Sequence, residues 1–215
     1  MIGILGGTFD PVHFGHLRPA LDIQQALGLE EVRLVPCNNP PHRPQPVASR
    51  EQRVAMLQTA ASQHPVLRVD TREFDREGPS YTLDTLKSFR AEMGETGLCL
   101  LLGLDAFISL PAWYHWRELI DFCHLVVMTR PGGIVPEQGE LADFTSQYRV
   151  VDASLLETGA SGMLLFHPVT LLDISGTQIR KLLGKGQDAG FLLPQGVLDI
   201  ISREKLYVTG NRYEQ

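Results

Sequence analysis

Two histidines, His13 and His16, stand three residues apart, shortly after the glycines and hydroxyl of Gly6-Gly7-Thr8. A short apolar run (Ile2, Ile4, Leu5) comes before the glycines; an Asp10-Pro11 turn and an amphipathic helical pattern come after them. A strand, a glycine turn and a helix start together form an anion site. Glycine admits close backbone approach, and the first amides of a helix have no intrahelical partner. Imidazoles placed there can donate to charge that develops on a phosphate during a reaction. A metal pair is the other reading of two such histidines. It is rejected because no third ligand stands at a sensible spacing.

A second anion signal lies far downstream, in Ile174-Ser175-Gly176-Thr177-Gln178-Ile179-Arg180. Ser175 followed three residues later by Gln178 is a capping-box pattern. Taken alone, it reads as an ordinary cap with Thr177 and Arg180 on a surface face. With Ser175 as N-cap, however, Thr177 and Arg180 share one side, and Arg180 leans back toward the open amides. A hydroxyl, a guanidinium and a positive dipole end would then converge on one anion.

Composition narrows the partners. The chain has 215 residues, 43% apolar and 20% charged, with a formal charge of −6 and no basic block. That fits one α/β domain over 1–215, with a C-terminal helical part from about 174. It argues against a nucleic-acid partner, which needs a positive stripe to neutralise phosphates. Cys37, Cys99 and Cys123 form neither a disulfide framework nor a metal pair. The opening residues do not read as a signal peptide and no segment has membrane-span length, so a cytoplasmic protein is expected, with no membrane partner.

Strand-like and helix-like patterns alternate. Helices are expected over 16–27, 49–62 (Ser49 as N-cap), 81–92, 176–184 and 195–204. Strands are expected at the N-terminus and over 31–35, 67–69, 98–102, 124–129, 149–151 and 163–166. Residues 37–46 read as a stiff proline loop, 106–116 as a loop, and 133–147 as the least ordered stretch. Buried strands in βα units imply a Rossmann-like, doubly wound, mainly parallel sheet with helices on both faces. Ligands in such folds bind at the carboxyl ends of strands at the topological switch point. Gly6-Gly7 and Gly103-x-Asp105 are the natural pair to flank it.

Gly6-Gly7-Thr8-Phe9-Asp10-Pro11-Val12-His13-Phe14-Gly15-His16 and Ile174–Arg180 resemble the two signatures of the nucleotidyltransferase superfamily. Asn38-x-Pro-Pro-His42-Arg-Pro, Ser80-Tyr81-Thr82 and Gly103-x-Asp105…Pro111-x-Trp113-Tyr114 bring the resemblance closer to the bacterial nicotinate mononucleotide adenylyltransferases. It runs in order from residue 1 to about 205. Two departures stand out. Cys37 occupies a position where the family often has asparagine, which leaves a polar contact from that side chain open. Gly176 stands where Ser or Ala is usual, and a small residue suffices there.

The resemblance implies transfer of an adenylyl group from ATP, with Mg²⁺, to nicotinate mononucleotide. Deamido-NAD and pyrophosphate form by in-line attack without a covalent intermediate. His13, His16 and Arg180 would be the catalytic residues. Gly6, Gly7, Thr8, Phe9, His13, His16, His42, Gly103, Asp105, Ile174, Ser175, Thr177 and Arg180 would meet ATP. Tyr81, Thr82, Asp105, Trp113, Tyr114 and Arg130 would meet the acceptor, with Trp113 stacking on the pyridine ring. No protein metal ligands are expected. Without the resemblance, the Trp113-Tyr114-x-Trp116 loop reads equally as core or lid packing, and Asp105 as a helix cap. His42 reads as an ordinary exposed histidine, and His64, His115, His124 and His167 as structural. The alternatives are the same chemistry on nicotinamide mononucleotide, pantetheine phosphate or FMN, or a non-catalytic nucleotide sensor. A dehydrogenase is excluded, because Gly-Gly-Thr-Phe is not GxGxxG and no acidic residue ends the second strand.

Overall fold

The structure, a computed structural model, describes residues 1–40, 45–129, 136–170 and 172–208. Strands β1 (Ile2–Gly7), β2 (Glu31–Pro36), β3 (Leu67–Val69), β4 (Leu98–Gly103), β5 (His124–Thr129), β6 (Arg149–Val150) and β7 (Leu164–Pro168) form one sheet. Among the described residues its order is β3-β2-β1-β4-β5-β7-β6, and every neighbouring pair is parallel.

Alternation along each strand feeds two cores. Leu5, Leu101 and Val126 face one side, and Ile4, Leu100 and Val127 the other. The first side is covered by helices α1 (Phe14–Ala26) and α2 (Arg50–Ala61), through Leu17, Ile23, Met56 and Leu57. The second is covered by α3 (Thr82–Met93) and by α5 (Leu119–Phe122), which follows the short α4 (Leu104–Ile108); helix α6 (Glu140–Tyr148) joins them, bringing Leu141 and Phe144. The last helices, α7 (Gly176–Gly184) and α8 (Gln195–Arg203), return to the first side with Ile179, Val197 and Ile200. The doubly wound parallel sheet expected from the sequence is therefore the observed one, and no helix among the described residues is long and apolar enough to cross a membrane.

Three expectations change. Helix α1 begins at Phe14 rather than residue 16, so Pro19 lies inside it rather than in its first turn. Residues 106–116 are not plain loop: they include the end of α4 and a 3₁₀ turn over Leu110–Ala112. The stretch 133–147, expected to be the least ordered, holds most of α6. Leu141, Phe144 and Thr145 lie on one buried side of it, and three buried positions escaped notice among polar neighbours.

At the amino ends of the strands, Arg90 gathers loose carbonyls. Its guanidinium donates to Thr96 O (2.8 Å), Phe122 O (2.7 Å) and Ala160 O (2.8 Å), and also to Gly94 O. Lysine at this position cannot reach all of these acceptors. Arg90→Lys is expected to lower unfolding stability by about 1–3 kcal/mol in urea titration while leaving the carboxyl ends of the strands undisturbed, because the change lies at the opposite end of the sheet.

Candidate active site

β1 and β4 pair only at Ile2–Leu98, Gly3–Cys99 and Ile4–Leu100, whereas β1 stays paired with β2 as far as Gly7–Pro36. The last residues of β1 and β4 thus part, and a crevice opens at the switch point. Gly6 and Gly103 border it. A Cβ added at either would meet nothing within 4 Å, so the backbone there is open to a ligand.

His13 is the N-cap of α1 and is only 4% exposed. Its ring stacks on that of His16, centroids 3.7 Å apart. The backbone N–H of His13 donates to His16 Nδ1 at 3.3 Å. Accepting at Nδ1 leaves the His16 proton on Nε2, so this ring presents a neutral N–H donor. Phe9 props the pair from behind. It is buried, holds a left-handed φ of 50°, and sets its ring edge-on to His16 at 5.0 Å. The Phe9 side chain is therefore packing, and only its backbone is open to a ligand role. Burial lowers His13 from 6.5 to about 4, so the ring is neutral near pH 7.

The second signal folds as read. Ser175 caps α7 and accepts from Gln178 N–H at 3.1 Å. Arg180 reaches back to donate to Thr177 Oγ1 (3.3 Å) and to the carbonyl of Asp10 (2.6 Å). The two signatures, 170 residues apart, are thereby joined. Gly15 makes the junction possible: a Cβ there would lie 2.9 Å from both Ile174 O and His13 Nδ1. At Gly176 the fit is also close, since a Cβ would come within 3.1 Å of Asp10 O and 3.2 Å of Arg180 Nη1. An alanine or serine there would require a small shift of the guanidinium.

Two further motifs meet across the sheet end. The amides of Asn38 and Asn39 both donate to Ser80 Oγ at 3.1 Å, and Ser80 N–H returns to Asn39 O at 2.9 Å. Tyr81 is the N-cap of α3 and Thr82 its first residue. Tyr81 stacks on Tyr114 at 4.4 Å, and Tyr114 is 47% exposed. Trp113 packs half-buried against the second core. Asp105 is exposed in the first turn of α4, with Gly103 as that helix's N-cap. His42 and Arg130 lie outside the described residues. An open cavity of about 660 Å³ lies between the chain after β2, the start of α2 and residues 74–78. Its lining includes neither His13, His16 nor Arg180.

Two residues passed over in the sequence hold this arrangement. Asp10, 6% exposed, accepts the amides of Val47 (2.8 Å) and Ala48 (3.1 Å). Arg53, 1% exposed, donates to Thr8 O (2.9 Å) and Cys37 O (2.7 Å), binding the glycine turn to the end of β2. Cys37 thus contributes its backbone. Arg53 was visible in principle, as a charge in register with the apolar Met56, Leu57 and Ala60 of α2. Asp10 gave no such signal, because an Asp-Pro pair reads as a turn. His124 is buried, with Nε2 3.1 Å from Gly159 O, a structural histidine as expected. Cys99 and Cys123 are buried thiols, and burial pushes Cys99 up to about 12.

The lowered His13 has a consequence for stability. The unfolded ring takes up a proton below 6.5 and the folded one only near 4, so stability falls as pH drops between these values and levels off below them. The loss amounts to roughly 3 kcal/mol. Urea midpoints measured from pH 7 to 4 are expected to show it, and His13→Asn, which can still cap α1, is expected to flatten this part of the profile.

Comparison with known proteins gives the chain a family. The family model described as cytidylyltransferase-like matches residues 4–182. A Methylococcus capsulatus protein named "Probable nicotinate-nucleotide adenylyltransferase" is 49% identical, covering 96% of this chain and 99% of its own. One from Pseudomonas putida with the same name is 46% identical, covering 98% and 96%. Among solved structures, the Plasmodium falciparum nicotinic acid mononucleotide adenylyltransferase complexed with NaAD superposes with a TM-score of 0.71 at 19% identity, covering 96% of each chain, a likeness of fold. The same enzyme complexed with APC gives 0.70. The chain belongs to the cytidylyltransferase-like nucleotidyltransferases, within the family of the nicotinate-nucleotide adenylyltransferases.

Proposed function

We propose that this enzyme transfers the adenylyl group of MgATP to nicotinate mononucleotide in NAD synthesis. The observation that carries the reading is the junction of Arg180 with the Asp10 carbonyl beside the stacked His13–His16 pair, where β1 and β4 part. A phosphate oxygen of the mononucleotide attacks the α-phosphorus of ATP. The bond from that phosphorus to the β-bridging oxygen breaks, pyrophosphate leaves, and the dinucleotide remains. No side chain serves as nucleophile. Positioning and donation to crowded phosphate oxygens supply the acceleration.

His13 and His16, as neutral donors, serve the α- and β-phosphates, while Arg180, Thr177 and the amides following Ser175 hold the β,γ-phosphates. The backbone of Gly6–Phe9, Gly103, Asp105 and Ile174 completes the ATP side. Trp113, Tyr81, Thr82 and Tyr114 form the acceptor side, whose backbone amides suit a ring carboxylate. His42 and Arg130 keep the roles their motifs imply, facing ATP phosphates and the acceptor. Mg²⁺ enters with the nucleotide. Bound with the nucleotide, it would neutralise charge on the phosphates. We place the reaction in the cytoplasm, in one nucleotidyltransferase domain.

A coupled pyrophosphate-release assay with both mononucleotides tests the acceptor. Faster turnover of the nicotinate form is expected, and equal or better use of the amide form overturns the choice. In the same assay His16→Ala is expected to lower kcat roughly 100- to 1,000-fold while ATP still binds. Unchanged turnover would remove the histidine from the chemistry.

A further inference from the structure

We infer that Tyr207, near the C-terminal end of the described chain, is a positioning residue for Arg180 that acts through the Asp10 carboxylate. The inference rests on the phosphate role proposed for Arg180.

Three donors meet the buried Asp10 carboxylate. Oδ2 takes the Val47 amide at 2.8 Å, and Oδ1 takes the Ala48 amide at 3.1 Å and the Tyr207 hydroxyl at 2.6 Å. Arg180 Nη1 stands 3.9 Å from Oδ2 and donates instead to the Asp10 carbonyl. The guanidinium is therefore held beside the carboxylate without being captured by it.

The tyrosine reaches this spot by an unfavourable backbone route. Lys205 and Tyr207 adopt positive φ values of 52° and 63°, which cost energy for residues bearing a Cβ. Such a turn persists only where contacts hold it. Leu206 N–H bonds Ile201 O at 2.9 Å, and the Tyr207 carbonyl lies against Gly184, where an added Cβ would come within 3.4 Å. Tyr207 thus touches both the end of the Arg180 helix and the carboxylate beside its guanidinium.

Removing the hydroxyl would leave Oδ1 with one donor, in a buried place where an unmet charge is costly. Arg53 also feels this carboxylate but is tied to Thr8 O and Cys37 O, so Arg180, 3.9 Å from Oδ2, is the cation placed to move. The 3.9 Å gap would close, drawing the guanidinium out of the crevice and away from a phosphate. The phenol therefore keeps the carboxylate occupied so that the arginine stays available.

The test compares wild type, Tyr207→Phe, Arg180→Gln and the double variant. Calorimetry measures MgATP binding without acceptor, and steady-state assays measure KM for both substrates. Tyr207→Phe is expected to weaken ATP binding and raise its KM by about tenfold, with the mononucleotide KM held within about twofold. The double variant should bind ATP no worse than Arg180→Gln alone, since the tyrosine works through the arginine. Wild-type ATP affinity in folded Tyr207→Phe, or losses that add in the double variant, would overturn the inference. A wild-type affinity in Arg180→Gln would instead overturn the phosphate role of Arg180 on which it rests.

Discussion

β1 and β4 cannot remain paired to their ends, and the site follows from that constraint. The chain leaving β1 crosses to one face of the sheet through α1, while the connections flanking β4 run over the other through α3 and α5. Their hydrogen-bonding ends at Ile4–Leu100. Parallel sheets of this topology open there for geometric reasons alone. What this chain adds is the lining: glycines that leave backbone exposed on both strands, and a helix N-terminus capped by an imidazole rather than a hydroxyl.

The positive character of the crevice is economical. In the proposed reaction an acidic chain with a formal charge of −6 would meet its phosphates with imidazole N–H groups, helix amides and a placed guanidinium. The two rings stack at 3.7 Å, too close for both to carry charge comfortably. Burial keeps His13 in the neutral form. Fixed, uncharged donors of this kind need no reorganisation as charge develops on a phosphate, which is where preorganised dipoles act best.

The sequence revealed the strands, most of the helices and both phosphate signatures, because each is written in local terms: apolar alternation, a glycine turn, a Ser-x-x-Gln cap. It was less informative where a residue's meaning comes from a distant partner. Asp10 read as part of a turn, and only the folded chain brings it the Val47 and Ala48 amides. Arg53 was overlooked because it acts through carbonyls of two other segments. Helix α6 was missed for the converse reason, since its few buried side chains gain their surroundings from other parts of the chain, as Phe144 does against Trp116. Phe9 was grouped with ligand contacts, whereas its ring proves to be the support behind His16.

The bond between Asp10 and Tyr207 spans 197 residues, and that separation orders events during synthesis. The strands that define the crevice are complete by Gly103, so the amino-terminal part of the sheet can assemble while the chain is still growing. The clamp cannot. Arg180 follows the last strand, and the tyrosine that steadies its neighbour comes later still. A growing chain that has not yet reached Tyr207 therefore carries the histidines without the contact that steadies Asp10.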